Sequence, residues 1–381
     1  MTLLALLYLT LGCLALVGAV FLRWPVVLGR AVRPLTGIVG MIYGWFTPQI
    51  LGLGLVFTLG MGARLAEPLG LVGLAVHLAA WAVTASAIYT WRTRPLTLEG
   101  EALQPPGGPW FPYFFPRVRP GRDVIIERGL PWREAGVTLR LDVYRPAVPP
   151  DRRPAILMLH GGGWVTGRRR QGRHLAVELA RRGWITISVS YRRAPRFPLP
   201  AAYLDARAAV DEVRRRGVEL GALDFPPIVF GSSAGGHLAA LLALRGADEG
   251  APVSAAVCLY PPIDVERVFR TRHAWGPAMF LERMVFVARY AEDPAPFHDM
   301  APLRFAHAQA APTLFIHGEA DGLVPMDESE RIYAALKAAG ASTRRLVVPS
   351  APHAFELYPG PGLYRILPTL DAFLAPWVPE R

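Results

Sequence analysis

The chain has 381 residues, 52% of them hydrophobic, and a formal charge of +11 that is carried almost wholly by arginine. A mean hydropathy of +0.27 is high for a water-soluble protein. The positive charge is scattered rather than gathered on a basic stripe with interleaved aromatics, so nucleic-acid binding is set aside and the arginines are read as a lipid-facing or compositional bias. The two cysteines, Cys13 and Cys258, fall in an apolar segment and a predicted strand. Neither a disulfide framework nor a metal site follows from them, and no cofactor or metal is expected.

The first ninety residues hold the uncharged apolar runs, and charged residues concentrate after Trp91. Thr2 to Leu22 matches the roughly 20 residues that a helix needs to cross a bilayer core. It is favoured as an anchor over a cleavable signal peptide because no Lys or Arg precedes it and because it exceeds the usual apolar core of such peptides. Segments 35–63 and 68–89 also lack Asp, Glu, Lys and Arg. The expectation is a multi-pass integral membrane region over 1–94 with about three transmembrane helices, at 2–22, 35–63 and 68–89. Arg23, Arg30 and Arg33 follow the first run, and Arg92 and Arg94 follow the third. By the positive-inside rule this places the amino terminus outside and the rest of the chain on the cytoplasmic side.

Residues 95–122 read as a linker rich in proline and aromatic residues, with Trp110, Phe111, Tyr113, Phe114 and Phe115 crowded together. From Asp123 onward, strands and helices alternate. Eight strands are predicted: Asp123 to Arg128, Val137 to Tyr144, Ala155 to Leu159, Ile185 to Ser190, Ile228 to Phe230, Ala255 to Leu259, Thr313 to Ile316 and Thr343 to Val348. Helices are predicted near 172–182, 201–216, 234–245, 327–339 and 364–374. This is an α/β class with a mostly parallel sheet covered on both faces, over 123–381. A short lid is expected at about 263–300, where Phe269, Trp275, Met279, Phe280, Met284 and Phe286 either line a pocket or pack the lid itself.

Gly231-Ser232-Ser233-Ala234-Gly235 follows a short apolar strand and opens an apolar helix. In that setting the glycines allow a tight strand-to-helix turn that lifts the Ser233 hydroxyl to the positive end of the helix. A serine hydroxyl is a weak nucleophile at neutral pH, so a base and a group to orient that base must follow. Asp321 lies in a loop after the strand Thr313 to Ile316, and His353 lies in a loop after the last strand. Glu319 remains the alternative acid. His237 and His317 read as structural, Ser232 as turned away, and Asp205 as a salt-bridge partner. Arg168, Arg169, Arg170 and Arg173 stand beside the glycine loop as either a solvated face or an anion-facing patch.

Taken together, Leu141-Asp142-Val143-Tyr144-Arg145-Pro146, His160-Gly161-Gly162-Gly163-Trp164, Tyr191-Arg192-Arg193-Ala194-Pro195, the segment from Gly231 through Ala239, the segment from His317 to Pro325, and Pro352-His353 carry a resemblance. From Val137 to its end the chain resembles α/β-hydrolase-fold esterases and lipases of the hormone-sensitive-lipase type, with feruloyl-esterase-like relatives. The resemblance implies a triad of Ser233, Asp321 and His353, and an oxyanion hole built from the backbone amides of Gly161, Gly162 and Ala234. It departs from many such enzymes in having Ser232 where they have Asp. The function expected is a membrane-anchored serine carboxylesterase or lipase acting on a small-molecule or lipid ester, with a lipophilic ester arriving through the bilayer. An acyltransferase or a kynurenine-formamidase-like amidase on the same fold is the alternative. The substitution Gly162→Val is expected to spare the fold and depress turnover.

Overall fold

The computed structural model describes residues 10–17, 68–103, 121–148, 153–271 and 275–378. They fall into two compact units. The larger comprises Val118–His317, Met326–Leu346 and Ile366–Arg381, and the smaller comprises Met1–Arg117, Gly318–Pro325 and Val347–Arg365.

The larger unit is built on a sheet whose strands are β3 (Val124–Glu134), β4 (Val137–Pro146), β5 (Ile156–Leu159), β6 (Thr186–Val189), β7 (Ile228–Ser232), β8 (Ala255–Leu259), β9 (Thr313–Gly318) and β10 (Thr343–Val348). Their order across the sheet is β10-β9-β8-β7-β5-β6-β4-β3. β3 and β4 form an antiparallel hairpin that turns at Ala135-Gly136, both with positive φ, and β4 runs antiparallel to β6. β5 pairs in parallel with both β6 and β7, and the β7–β8 and β8–β9 pairings are parallel too. β5, β6 and β8 are buried at every position, as expected of strands covered on both faces.

Helices α2 (Arg173–Arg181), α3 (Leu199–Glu219), α4 (Ala234–Arg245) and α8 (Asp327–Ala338) connect these strands. α3 is amphipathic. It buries Ala202, Ala206, Ala209, Val210 and Val213 at helical spacing and leaves its arginines outside. α4 is apolar all round and buried from Ala234 to Leu244, so it occupies the core rather than the surface.

Between β8 and β9 the expected lid consists of α5 (Arg267–Arg270), α6 (Trp275–Phe280), a π-helical turn (Leu281–Phe286) and α7 (Ala295–Asp299). Part of its aromatic content packs the lid itself. Phe286 stacks on Phe297 at 4.0 Å, and Phe269 stacks on Tyr290 at 4.4 Å. Phe280 and Met284 stay exposed.

The smaller unit contains helix α1 (Pro68–Thr93) and a hairpin of β1 (Leu96–Leu98) and β2 (Glu101–Leu103). The hairpin turns at Glu99-Gly100, both with positive φ. It lies within 95–122, the segment expected to be a linker rich in proline and aromatic residues. α9 (Pro361–Leu374) is the last α-helix among the described residues and leads into a 3-10 turn at Ala375–Trp377.

The three-span expectation gains no support. Among the described residues no helix is long and apolar enough to cross a membrane. Of the run 2–22 only 10–17 are described, and 35–63 lies outside the described residues. The run 68–89 is α1, which buries His77 and Thr84. Thr84 Oγ1 donates to the Ala80 carbonyl within the helix. The arginine-bearing segment 23–33, on which the cytoplasmic placement rested in part, and the aromatic stretch 110–115 also lie outside the described residues.

Candidate active site

In the larger unit, β7 ends in Gly231-Ser232 and the chain turns at Ser233 directly into α4. Ser233 has φ +54° and ψ −119°, a conformation that L-residues seldom adopt and that persists only where surrounding structure enforces it. The enforcement is visible. Ser233 N donates to the Leu259 carbonyl at 2.9 Å, and His237 N donates to the Ser233 carbonyl at 2.9 Å to start the helix. A Cβ on Gly235 would lie 2.1 Å from the Leu159 carbonyl oxygen, so α4 approaches β5 as closely as backbones allow. Ser233 is half-buried and sits at the helix N-terminus, where unpaired amides and the dipole favour negative charge. Ser232 is still in the β7 ladder, opposite Leu259.

The glycine loop runs beside this turn. A Cβ on Gly161 would meet the Ser232 carbonyl oxygen at 2.9 Å and Ser233 Cβ at 3.3 Å. Three neighbours hold the loop. His160 Nδ1 donates to the Gly161 carbonyl at 2.8 Å, Tyr191 Oη donates to the His160 carbonyl at 2.7 Å, and the two rings stack at 4.2 Å. Arg193 donates to the Gly167 carbonyl. Asp205, fully buried, accepts from the backbone N of Arg192 at 2.6 Å and from its guanidinium. The Tyr191-to-Arg193 segment is therefore a buttress for the loop, and Asp205 is the salt-bridge partner that its setting predicts.

Gly162 corrects one expectation. Its φ is +121°, and a Cβ there would lie 2.5 Å from the Thr166 carbonyl oxygen and 2.8 Å from Gly167 N. Thr166 N and Val165 N both donate to the Gly162 carbonyl. The obstructing atoms are backbone, so Gly162→Val cannot spare the loop. It is expected to shift the whole 162–167 turn, lowering turnover by about 10²–10³-fold, the cost of a lost oxyanion donor. The thermal midpoint should fall as well. Measuring both on one preparation checks this, and wild-type turnover would refute it.

In the smaller unit, the loops carrying Asp321 and His353 meet. His353 Nδ1 donates to Asp321 Oδ2 at 2.7 Å, which places the basic lone pair of the imidazole on Nε2. The other carboxylate oxygen of Asp321 accepts from the amides of Leu323 at 2.9 Å and Val324 at 2.8 Å. Both side chains are buried. Glu319, the alternative acid, is instead in a bidentate ion pair with Arg94.

The other candidates take structural places. His237 Nε2 donates to the Met300 carbonyl at 2.7 Å, and its ring meets the edge of Trp164. His317 is buried in β9. Arg169 is paired with the buried Asp142 at 2.7 Å, and Arg170 lies 3.9 Å from the same carboxylate. Asp142 also accepts from Gly129 N at a bulge in β3. Part of the arginine cluster therefore anchors the sheet edge. Burial pushes the Cys258 thiol far up, which leaves it an inert core residue. Among the described residues no group of His, Cys, Asp or Glu is arranged to hold a metal ion.

Burial pulls the His160 imidazole down to about 4, against the opposing effect of its bond to Gly161 and with Arg193 and Arg169 lowering it further. Burial likewise brings His237 down to about 4. In the unfolded chain both titrate near 6.5. Between those values the unfolded state binds protons that the folded state refuses, so stability falls as pH drops from 6.5 toward 4 and levels off below. The expected loss by pH 5 is about 2 kcal/mol per histidine. Urea midpoints between pH 7 and 5 measure it, and a flat profile would contradict it.

A serine at a strained strand-to-helix turn, a glycine loop at its side and a His–Asp pair on a parallel-sheet scaffold define a nucleophile-elbow α/β protein. The chain belongs to the α/β-hydrolase-fold family, whose profile matches residues 156–357. It is 35% identical over 242 residues to the esterase LipQ of Mycobacterium tuberculosis, covering 60% of this chain. That match spans just over half, 57%, of the relative's own length. It is 32% identical over 249 residues to an ethyl acetate hydrolase of Pseudomonas putida, covering 61% of this chain and 76% of the relative. Among solved structures it is similar to esterase 2 of Thermogutta terrifontis phosphonylated by sarin. That likeness has a TM-score of 0.57 and 26% identity, over 67% of this chain and 96% of the other.

Proposed function

We propose that the chain is a serine carboxylesterase working through an acyl-enzyme. Ser233 Oγ attacks the ester carbonyl as His353 Nε2 takes its proton. Asp321 fixes the imidazole tautomer and stabilises the imidazolium. The amides of Gly161, Gly162 and Ala234 receive the developing oxyanion. The imidazolium then protonates the departing alcohol, and water, deprotonated by the same imidazole, releases the acid.

The observation that carries this reading is the Asp321–His353 hydrogen bond of 2.7 Å, because it leaves the imidazole with the tautomer that a serine base requires. The elbow conformation of Ser233 supports it. The names of the relatives, an esterase and an ethyl acetate hydrolase, favour esters over amides. A lipophilic acyl or alcohol group suits the lid, where Phe280, Met284 and Val287 are exposed. The Phe280 ring stands 3.2 Å from where a Gly163 Cβ would be, so this apolar face borders the glycine loop.

The test is hydrolysis of p-nitrophenyl esters from acetate to octanoate by the full chain, with the matching anilides alongside. Ester cleavage well above anilide cleavage is expected. Anilide cleavage without ester cleavage would overturn the assignment.

A further inference from the structure

Arg94 follows directly on α1, its N–H donating to the Thr90 carbonyl at 3.1 Å and its own carbonyl accepting from the buried Arg365. Its backbone is thus held on both sides. Its guanidinium reaches Glu319 with Nη1 at 2.6 Å from Oε2 and Nη2 at 3.1 Å from Oε1, and Nη1 lies 3.5 Å from Ser350 Oγ. Glu319 Oε2 also accepts from Ser350 N at 2.9 Å. Glu319 is two residues before Asp321, and Ser350 is three before His353. One carboxylate oxygen therefore joins the acid loop, the base loop and the cation.

Backbone bonds knit the same two loops from below. Glu319 N donates to the Val348 carbonyl at 2.9 Å, and Ala320 N donates to the Ala351 carbonyl at 3.0 Å. Ser350 itself sits at φ +57°, a backbone conformation that its surroundings must hold.

We propose that Arg94 is a positioning residue for the reaction: through Glu319 and Ser350 it fixes the relative placement of the loops that carry Asp321 and His353. The proposal rests on the triad reading above. Stability is not the natural role of this pair. Its side chains are 48% and 39% exposed, and ion pairs of that kind contribute little to the folding free energy. A planar, bidentate fork fixes geometry in a way that a point charge does not. Misplacement of a catalytic group by a fraction of an ångström is costly in rate while leaving ground-state binding nearly unchanged.

The experiment uses the full chain and p-nitrophenyl acetate with five variants: Arg94→Ala, Arg94→Lys, Glu319→Gln, the double Arg94→Ala/Glu319→Gln, and Ser233→Ala as the reference for lost chemistry. Arg94→Ala and Glu319→Gln should each lower kcat about tenfold, with KM changed less than about twofold. The thermal midpoint should be nearly unmoved, and the double variant should be no worse than either single. Arg94→Lys should recover part of kcat. Wild-type kcat in Arg94→Ala beside an inactive Ser233→Ala would overturn the positioning role and leave the triad standing. Additive losses that track the thermal midpoint would overturn it too, as those of a mere strut. An active Ser233→Ala would instead remove the triad itself, and the proposal with it.

Discussion

Replacing Ser233 with alanine is expected to lower ester turnover by about 10⁶-fold while leaving the fold intact, the scale seen when a triad serine is removed. The structural reason for expecting a clean effect lies in the turn. Ser233 is held by backbone bonds to Leu259 and His237, not by its hydroxyl alone. Its positive φ is enforced by the close approach of α4 to β5 at Gly235. Alanine adopts that conformation at a cost similar to serine's, so the loss falls on chemistry rather than stability. Residual turnover would come from the glycine loop and the bound geometry alone. Measuring kcat together with the thermal midpoint separates the two, and a loss below about a hundredfold would argue that another group is the nucleophile.

The second large effect belongs to Asp321→Asn, expected to cut kcat by about 10⁴-fold with little change in KM. Asp321 accepts on both sides: from His353 Nδ1 through one oxygen and from the amides of Leu323 and Val324 through the other. Asparagine has one acceptor and one donor in those places. If its NH₂ faces His353, Nδ1 must accept and the proton moves to Nε2, so the base is lost. If the NH₂ faces the amides, donors oppose donors in a buried site. Glu319→Gln, by contrast, leaves both bonds of Asp321 in place and should cost far less. Equal losses from the two substitutions would reopen the choice of acid.

Much of the site is legible in the sequence because close approach restricts residue choice. A tight strand-to-helix turn needs glycine on both sides of Ser233, and the glycine loop needs it where φ is positive at Gly162 and Gly163. These demands leave short motifs in a fixed order along the chain. The Arg94–Glu319 pair leaves none, since its partners are 225 residues apart and ordinary in type.

The elements that were missed have equally specific causes. β1 and β2 are three residues each, too short for alternation to register, and only Glu99-Gly100 marks their turn. β3 continues beyond Arg128 to Glu134 because a bulge between Glu127 and Leu130 absorbs Gly129, and Pro131 disguises the rest as a loop. Apolar content alone made 68–89 read as a spanning segment, whereas among the described residues no helix is long and apolar enough to cross a membrane. Three polar residues inside that run, His77, Thr84 and Ser86, were the available signal, and the first two are buried.

An acyl-enzyme route requires Ser233 to become covalently bonded during turnover. The full chain treated with a fluorophosphonate reagent, digested and sequenced by mass spectrometry, measures that directly. One adduct is expected, on Ser233, formed in step with loss of esterase activity and slowed in His353→Ala. Complete inactivation with Ser233 unmodified, or labelling of Ser233 with activity retained, would contradict it.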